Sequence, residues 1–426
     1  MERDDPRYQA YVEILKEELI PAMGCTEPIA LAYAAAKARE VLGGLPDSVQ
    51  LQVSGSIIKN VKSVIVPNTG HLKGMEAAVA AGIIAGSAEK ELEVISEVSE
   101  EKKSAIRDYL QTVPITIEHT EQGHVFDIVV TERCGQDYAR VRIADYHTNI
   151  CRIEKNGTVL YEVPLLDETV QEDARADRSL LNMQDIWDFA ETADLRDVAD
   201  LLERQIRYNN AIAEEGLLGD YGANIGRVLL TTYGNDVSNR AKAKAAAGSD
   251  ARMNGCELPV IINSGSGNQG ITCSVPLIEY AKELHSGKEK LYRALIISNL
   301  VAIHEKTGIG TLSAYCGAVS AGAGAGAGIV YLCGDGYQAA IHTVVNALAI
   351  VSGIVCDGAK ASCAAKIASS VDAALLGYNM YKCNQEFKGG DGIVMKDIET
   401  TIKGIGRLGK DGMRQTNEEI IRLMMS

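Results

Sequence analysis

Residues 312–328 read LSAYCGAVSAGAGAGAG, a cysteine followed by an almost unbroken alternation of glycine and alanine. The surrounding segment, 311–333, has the composition of a buried helix, in which each glycine costs roughly 1 kcal/mol relative to alanine. Glycine at 322, 324, 326 and 328 therefore indicates a packing interaction that offsets this loss of helix stability. The run therefore predicts very close approach of this helix backbone to a neighbouring helix or a cofactor.

The chain around this run is predicted to be α+β, with an N-terminal α+β domain over 1–165 and a mostly helical domain over 166–426. Strand patterns nearly vanish after Pro164, and residues 167–218 are charged with a helical pattern. Apolar periodicity then predicts a series of helices. They span 237–247, 272–286, 289–305, 311–333, 337–354 and 359–376.

The first domain begins with two helices and continues with a mainly antiparallel sheet. A helix is predicted over 8–20 and a second from Thr26, its expected N-cap, to about Leu42. These first 45 residues could pack on the second domain. Strands are predicted at 49–53, 61–66 and repeatedly over 112–163, with a hairpin turn at Asn156-Gly157 and a helix over 74–86.

Composition places the chain among ordinary globular proteins and excludes several functional classes. It has 426 residues, 46% of them apolar, and a formal charge of −15, which argues against nucleic acid as a partner. Residues 1–5 are charged, which predicts no secretory signal and a cytoplasmic location. The uncharged runs 317–333 and 339–356 approach membrane-spanning length, but their polar residues favour buried core helices.

Ten cysteines in a chain without a secretory signal are expected to be reduced rather than paired in disulfides. Most cysteines of this kind are small buried hydrophobes, and six are given that interpretation. They are Cys134, Cys151, Cys256, Cys273, Cys333 and Cys383.

Three other cysteines, Cys316, Cys356 and Cys363, are candidates for metal ligands. On one unbroken helix, Cys356 and Cys363 would be separated by about 10.5 Å of rise, which is long for a compact site. We therefore expect Cys356 in a loop before a helix that begins at Asp357 or Gly358. Three thiolates can hold three irons of a [4Fe–4S] cluster and leave the fourth open to a substrate. Without further information, however, composition and spacing favour buried, unliganded thiols.

A fourth cysteine, Cys25, precedes a predicted helix N-terminus, where partial positive charge lowers the pKa of a thiol. It could act as a base or nucleophile, or simply pack in a turn. Residues 264–270, SGSGNQG, match the G-x-G-x-x-G pattern, but no Rossmann unit surrounds them. Amides at such a helix N-terminus also suit a small carboxylate.

Together these motifs resemble the L-cysteine desulfidases, relatives of the iron–sulfur L-serine dehydratases, over nearly the whole chain. The Gly24–Pro28 element favours the desulfidase side. The other motifs that carry the resemblance follow in the family's order. They are Lys59-Asn60, the turn 67–70, His147-Thr148-Asn149-Ile150, the loop 264–268, residues 312–317, and Cys356 to Lys360 with Cys363.

The resemblance implies a role for each of these sites. Cys316, Cys356 and Cys363 would hold the [4Fe–4S] cluster, and Cys25 would be the base that removes the α-proton. L-cysteine would be converted to pyruvate, ammonia and hydrogen sulfide. The implied substrate-binding residues are the backbone amides of Ser266, Gly267 and Asn268 together with Lys59, Asn60 and His147.

Three alternatives remain open from the sequence. An L-serine dehydratase would use the same open iron, with water as the leaving group. A pyridoxal-phosphate lyase would hold phosphate in the glycine loop, although no lysine has a recognisable Schiff-base context. A non-catalytic iron–sulfur sensor would show no turnover. The expected partner is a small amino acid, without nucleic acid or membrane, and a homodimer is the base-rate expectation.

Overall fold

The computed structural model describes residues 1–120, 124–165, 176–310 and 312–425 and confirms the α+β class. Eight strands are numbered in chain order: β1 Pro21–Met23, β2 Ser48–Ser54, β3 Ile115–Thr120, β4 Asp127–Cys134, β5 Asp137–Ala144, β6 Ile150–Lys155, β7 Thr158–Glu162 and β8 Pro259–Ile261. The α-helices are α1 Pro6–Glu18, α2 Thr26–Leu42, α3 Gly55–Val61, α4 Gly74–Ala85, α5 Glu100–Thr112, α6 Met183–Thr192, α7 Ala199–Leu218, α8 Ile225–Tyr233, α9 Val237–Met253, α10 Gly267–Glu283, α11 Lys288–Ile309, α12 Gly317–Cys333, α13 Tyr337–Val351, α14 Cys363–Lys382, α15 Ile398–Arg407 and α16 Arg414–Met425.

The N-terminal half is built on a six-stranded sheet in the order β3-β2-β4-β5-β6-β7. All neighbouring strands are antiparallel except β2 and β3, which are parallel. Helix α2 packs on strands β4 and β5. The predicted hairpin turn is confirmed, because Asn156 and Gly157 both adopt the positive φ that a tight turn requires.

One strand prediction, 61–66, is wrong. Val61 ends α3, and the following residues form only an isolated bridge between Ile65 and Lys73. Val61, Val64 and Val66 are all buried, and a short buried apolar run has the same pattern in a helix end as in a strand. Helix α5, which buries only Ile106 and Tyr109, has no counterpart among the predicted elements.

Helix α12 lies at the centre of the helical part and contacts α10, α11, α13 and α14. The predicted close approach is confirmed at its glycines. A Cβ on Gly324 would lie 2.4 Å from the carbonyl oxygen of Ser298 in α11, and one on Gly322 would lie 2.8 Å from the backbone of Ser370 in α14. The absence of side chains thus lets α12 contact two helix backbones directly.

The N-terminal segment also contacts the helical part. Strand β1 pairs antiparallel with β8, with Ala22 opposite Val260, and the hydroxyl of Tyr8 donates to Asp197 over 2.7 Å. The boundary predicted at 165/166 adjoins residues 166–175, which lie outside the described residues, and it stays a prediction. Residues 167–175, the beginning of the segment predicted to be charged helix, lie in the same gap.

The two uncharged runs form most of α12 and α13. Among the described helices, none has the length and apolar character that crossing a membrane demands. Burial is confirmed for Cys151, Cys256 and Cys273. For the other three cysteines of that group it is wrong, because each ends or follows an element at the surface: Cys134 ends β4, Cys333 ends α12 and Cys383 follows α14.

Replacing Gly324 with alanine is expected to destabilise the protein by about 1–3 kcal/mol, because the new methyl group would overlap the carbonyl oxygen of Ser298. Denaturant unfolding of the purified variant measures this change. Gly353→Ala is the matched control, since a Cβ there would meet no atom within 4 Å. Equal stability of the two variants would contradict the proposed packing of α12.

Candidate functional site

Two of the three candidate ligand cysteines lie at the starts of α12 and α14, and the third lies in the loop that connects α13 to α14. Cys316 is the N-cap of α12, Cys363 is the first residue of α14, and Cys356 lies in the loop after α13. The backbone N–H of Cys356 donates to the carbonyl of Ala314 over 2.6 Å, and that of Cys316 donates to Ile354 over 3.2 Å. These bonds place Cys316 and Cys356 on adjacent antiparallel segments.

The loop from Cys356 to Cys363 differs from the predicted helix start at Asp357 or Gly358. Gly358 has a φ of +91°, and a Cβ on it would lie 2.1 Å from the carbonyl oxygen of Lys59, so the loop packs directly on the end of α3. The carboxylate of Asp357 forms ion pairs with Lys360 and Lys366. Helix α14 therefore begins only at Cys363.

All three cysteines and Cys25 line one cavity of about 120 Å³. Burial, followed by the neighbouring Cys356, raises the pKa of the Cys316 thiol to about 12. Among the described residues, no three His, Cys, Asp or Glu side chains are grouped so as to hold a single metal ion. Three cysteine thiols that line one cavity are the type of donor that holds an iron–sulfur cluster.

Lysines surround this thiol group. Burial lowers the pKa of Lys306 to about 8, although the adjacent Cys356 and Cys316 act in the opposite direction. Burial acts to lower the pKa of Lys366, but its bond to Asp357 and the charges of Asp357, Cys316 and Cys363 together leave that pKa raised. These cations provide the positive potential that a set of buried thiolates requires.

Cys25 is the N-cap of α2, a position expected for Thr26, and its side chain is buried. The Sγ atom donates to Oε2 of Glu27 over 3.2 Å. Burial and the Glu27 carboxylate raise the thiol pKa well above its usual range, with Arg252 acting in the opposite direction. The expectation that the helix N-terminus lowers this pKa is therefore wrong, because desolvation dominates.

Glu27 is the first site residue that sequence reasoning missed. Its carboxylate also accepts from the hydroxyl of Thr26 over 3.2 Å, and Oε1 lies 3.9 Å from Nε2 of His147. Burial alone would raise the Glu27 pKa, but His147 and Cys25 lower it to about 2. His147 stacks edge-on against Phe126 and lines the cavity, where its buried Nε2 has no hydrogen-bond partner in the structure.

The glycine loop contributes the opposite wall. Ser264 and Gly265 have positive φ, and Ser266 is the N-cap of α10. Ser266 and Asn268 line the cavity, whereas Gly267 packs under Arg252: a Cβ on it would lie 2.3 Å from Nε of the arginine. Glycine at 267 thus leaves room for a buried guanidinium.

Arg252 is the second site residue that sequence reasoning missed. It lies in the last turn of α9, is only 3% exposed and lines the cavity. Its Nη1 donates to Oδ1 of Asn268 over 3.2 Å, and its Nε has no partner. A basic residue in the last turn of a helix is common, and nothing local in the sequence distinguishes this one.

The side chains of Lys59 and Asn60, near the end of α3, have different surroundings, and only that of Asn60 lines the cavity. Asn60 lines the cavity and donates to the carbonyl of Ser56 over 2.9 Å. The ammonium of Lys59 points elsewhere, to the carbonyl of Leu312 at 3.2 Å and to Oδ1 of Asn417 at 2.6 Å. Lys59 thereby supports the loop before Cys316 and attaches α16 to it.

A wider cleft of about 670 Å³ adjoins the cavity. The two share His147, Ser264, Gly265 and Lys306 in their walls. Glu17, Glu18 and Arg178 line the cleft farther out, where the arginine forms ion pairs with both glutamates. A substrate entering through this cleft would pass His147 and Lys306 before reaching the cysteines.

Comparison with known proteins identifies the family. Residues 89–422 match the model described as serine dehydratase alpha chain, which is more than half of the 426 residues. The chain belongs to this family. Membership of the serine dehydratase alpha chain family indicates an iron–sulfur-dependent lyase of the dehydratase type. The matched range contains Cys316, Cys356 and Cys363 but begins after Cys25 and Glu27.

Proteins that are similar over nearly the whole length of this chain include several UPF0597 proteins. A UPF0597 protein of Desulfitobacterium hafniense (strain Y51) is 61% identical over 426 residues, which is 100% of this chain and 99% of the relative. A UPF0597 protein of Treponema denticola is 47% identical over 430 residues, covering 100% of both chains. One from Fusobacterium nucleatum is 44% identical and covers 99% of both. These names specify no substrate.

Proposed function

We propose that this member of the serine dehydratase alpha chain family is an L-cysteine desulfidase, a carbon–sulfur lyase that converts L-cysteine to pyruvate, ammonia and hydrogen sulfide. The observation that carries the proposal is the shared cavity lined by Cys25, Cys316, Cys356 and Cys363. The Gly24–Pro28 element, which lies outside the matched range, contributes Cys25 to that cavity.

Cys316, Cys356 and Cys363 would hold a [4Fe–4S] cluster. When bound by only three cysteines, such a cluster supplies an open iron that acts as a Lewis acid toward the leaving group, and a soft thiolate suits iron well. The chain's own contribution is a buried, lysine-flanked set of thiols. Lys306 and Lys366 offset their charge from the sides of α11 and α14.

Cys25 would act as the base that removes the α-proton of the substrate. Its thiol donates to the Glu27 carboxylate over 3.2 Å, which orients the sulfur, and loss of the thiol proton to solvent would leave a thiolate, which the nearby Arg252 favours. The thiolate then takes the α-proton while the Cβ–S bond breaks and the electron pair leaves with sulfur. The resulting aminoacrylate tautomerises, and one water hydrolyses it to pyruvate and ammonia.

L-serine dehydration is the second candidate function, because the matching family model is that of a serine dehydratase alpha chain. The same residues would remove the α-proton, and water rather than sulfide would leave. The two functions differ in the leaving atom alone, so a substrate comparison separates them.

After anaerobic reconstitution with iron and sulfide, we expect kcat/KM for sulfide release from L-cysteine to exceed that for pyruvate formation from L-serine by at least about tenfold, roughly 1.4 kcal/mol. Soft sulfur on iron is the physical reason. Both rates are measured through pyruvate with a coupled assay. A higher value for L-serine would reject the desulfidase in favour of the dehydratase.

The ligand set is tested by Cys316→Ala, Cys356→Ala and Cys363→Ala. Each variant is expected to lose most of the roughly four irons per chain that a full cluster contains. Iron and acid-labile sulfide analysis, with the visible absorption spectrum, measures this loss. Cys383→Ala, at an exposed position after α14, is the matched control and should retain iron. Unchanged iron in any of the three variants would remove that residue from the set.

Cys25→Ser is expected to retain its iron and to lose about 10²–10⁴ in kcat, because a hydroxyl is a far weaker base than a thiolate in the same position. Cluster content and steady-state kinetics are measured on the same sample. Cys134→Ser, at the exposed end of β4, serves as control. Full activity of the Cys25 variant would assign the base elsewhere.

A further inference from the structure

The cavity is lined by a buried guanidinium, that of Arg252, and by a buried carboxylate, that of Glu27. We infer that these two side chains recognise the two charges of a free α-amino acid: the guanidinium of Arg252 binds the α-carboxylate and the carboxylate of Glu27 binds the α-ammonium. The inference rests on the proposed function for its substrate class and adds the residues that select it.

Arg252 has the features of a carboxylate ligand. A buried guanidinium is normally paired with an acid, because desolvating an unpaired charge is costly. At 3% exposure, Arg252 forms no ion pair with any described Asp or Glu. One neutral amide, that of Asn268, accepts from Nη1, and Nε has no partner. The planar fork of donors therefore has capacity for a bidentate anion at the cavity wall.

The start of α10, against which the guanidinium of Arg252 packs, offers a second set of donors. The guanidinium lies over Gly267, the first residue of this 17-residue helix, and a Cβ on Gly267 would lie only 2.3 Å from Nε of Arg252. The N-cap Ser266 makes no side-chain capping bond. Free N–H groups of the first turn and the guanidinium thus converge on one place, as in other anion sites at helix N-termini.

Glu27 has a complementary role on the α2 side. Its side chain is about 10% exposed, and its neighbours are a thiol, a hydroxyl and the His147 ring at 3.9 Å. Neither a lysine nor an arginine pairs with it in the described parts of the chain. The hydroxyl of Thr26 donates to the carbonyl of Gly265 over 2.9 Å, which fixes the α2 terminus against the glycine loop. Glu27 and Arg252 thus both line the cavity of about 120 Å³, on segments that this hydrogen bond connects.

This arrangement predicts selection for the complete zwitterion. A thiol without the carboxylate, such as cysteamine, lacks the partner of Arg252, and 3-mercaptopropionate lacks the partner of Glu27. Either compound would leave one buried charge of the cavity without a partner. Such a loss typically weakens binding by roughly 30-fold or more. Both compounds are expected to be poor substrates and weak inhibitors.

Binding is best tested with L-alanine, which has both charges but no leaving group. On the reconstituted wild-type enzyme, L-alanine should inhibit competitively and raise the melting temperature, while L-alaninamide should bind at least about 30-fold more weakly. Arg252→Met should lose at least about 30-fold in L-alanine affinity, and Arg252→Lys should recover part of it. Arg240→Met, on the same helix but paired with Glu283, is the matched control and should bind normally.

Glu27→Gln should weaken L-alanine but leave propionate binding unchanged, which separates its role from any effect on Cys25. Equal affinity of the wild type for L-alanine and L-alaninamide would overturn the assignment of Arg252 even if its variants fail to fold. Normal L-alanine binding by a folded, iron-loaded Arg252→Met would do the same. Selective L-alanine binding without turnover of cysteine or serine would instead refute the proposed function and retain the amino-acid site.

Discussion

Backbone contact along α12 is the constraint on which the rest of the helical part depends. Its glycines allow α11 and α14 to approach within distances that a methyl group would block, as at Gly322 and Gly324. Interiors packed at this density transmit position accurately from one element to the next. The start of α12, which holds Cys316, is therefore fixed relative to the start of α14, which holds Cys363.

The same principle of close backbone contact extends from the helices to the loops of the site. Gly358 brings the loop after Cys356 onto the carbonyl of Lys59, and Gly267 admits the guanidinium of Arg252. Gly317 packs against the amide of Gln269 with room for no Cβ. At each of these glycines the missing side chain makes room for a direct contact between two elements, and at Gly358 that contact joins the helical part to α3 of the N-terminal part.

Periodicity predicted most of the elements because the chain's apolar residues mark either a strand face or a helix stripe. It failed at 61–66, where three buried valines follow neither period clearly. The positions of the cysteines near a common cavity depended on a resemblance, because spacing alone left open whether Cys356 and Cys363 share a site. Arg252 and Glu27 were not found, since their importance comes from burial and missing partners, which are tertiary properties.

The electrostatics of the cavity differ from those of the whole molecule. The chain has a formal charge of −15, yet Arg252, Lys306 and Lys366 all lie around the thiols. Burial works against every charge here, raising thiol pKa values and lowering that of Lys306 to about 8. Among these three cations, Lys366 is paired with Asp357, whereas Arg252 has only the neutral amide of Asn268 as a partner. An amino-acid carboxylate would compensate Arg252, and a set of metal-bound thiolates would lie against Lys306 and Lys366. The proposed substrate and the proposed ligand set would thus each bring negative charge to the place where these cations lie.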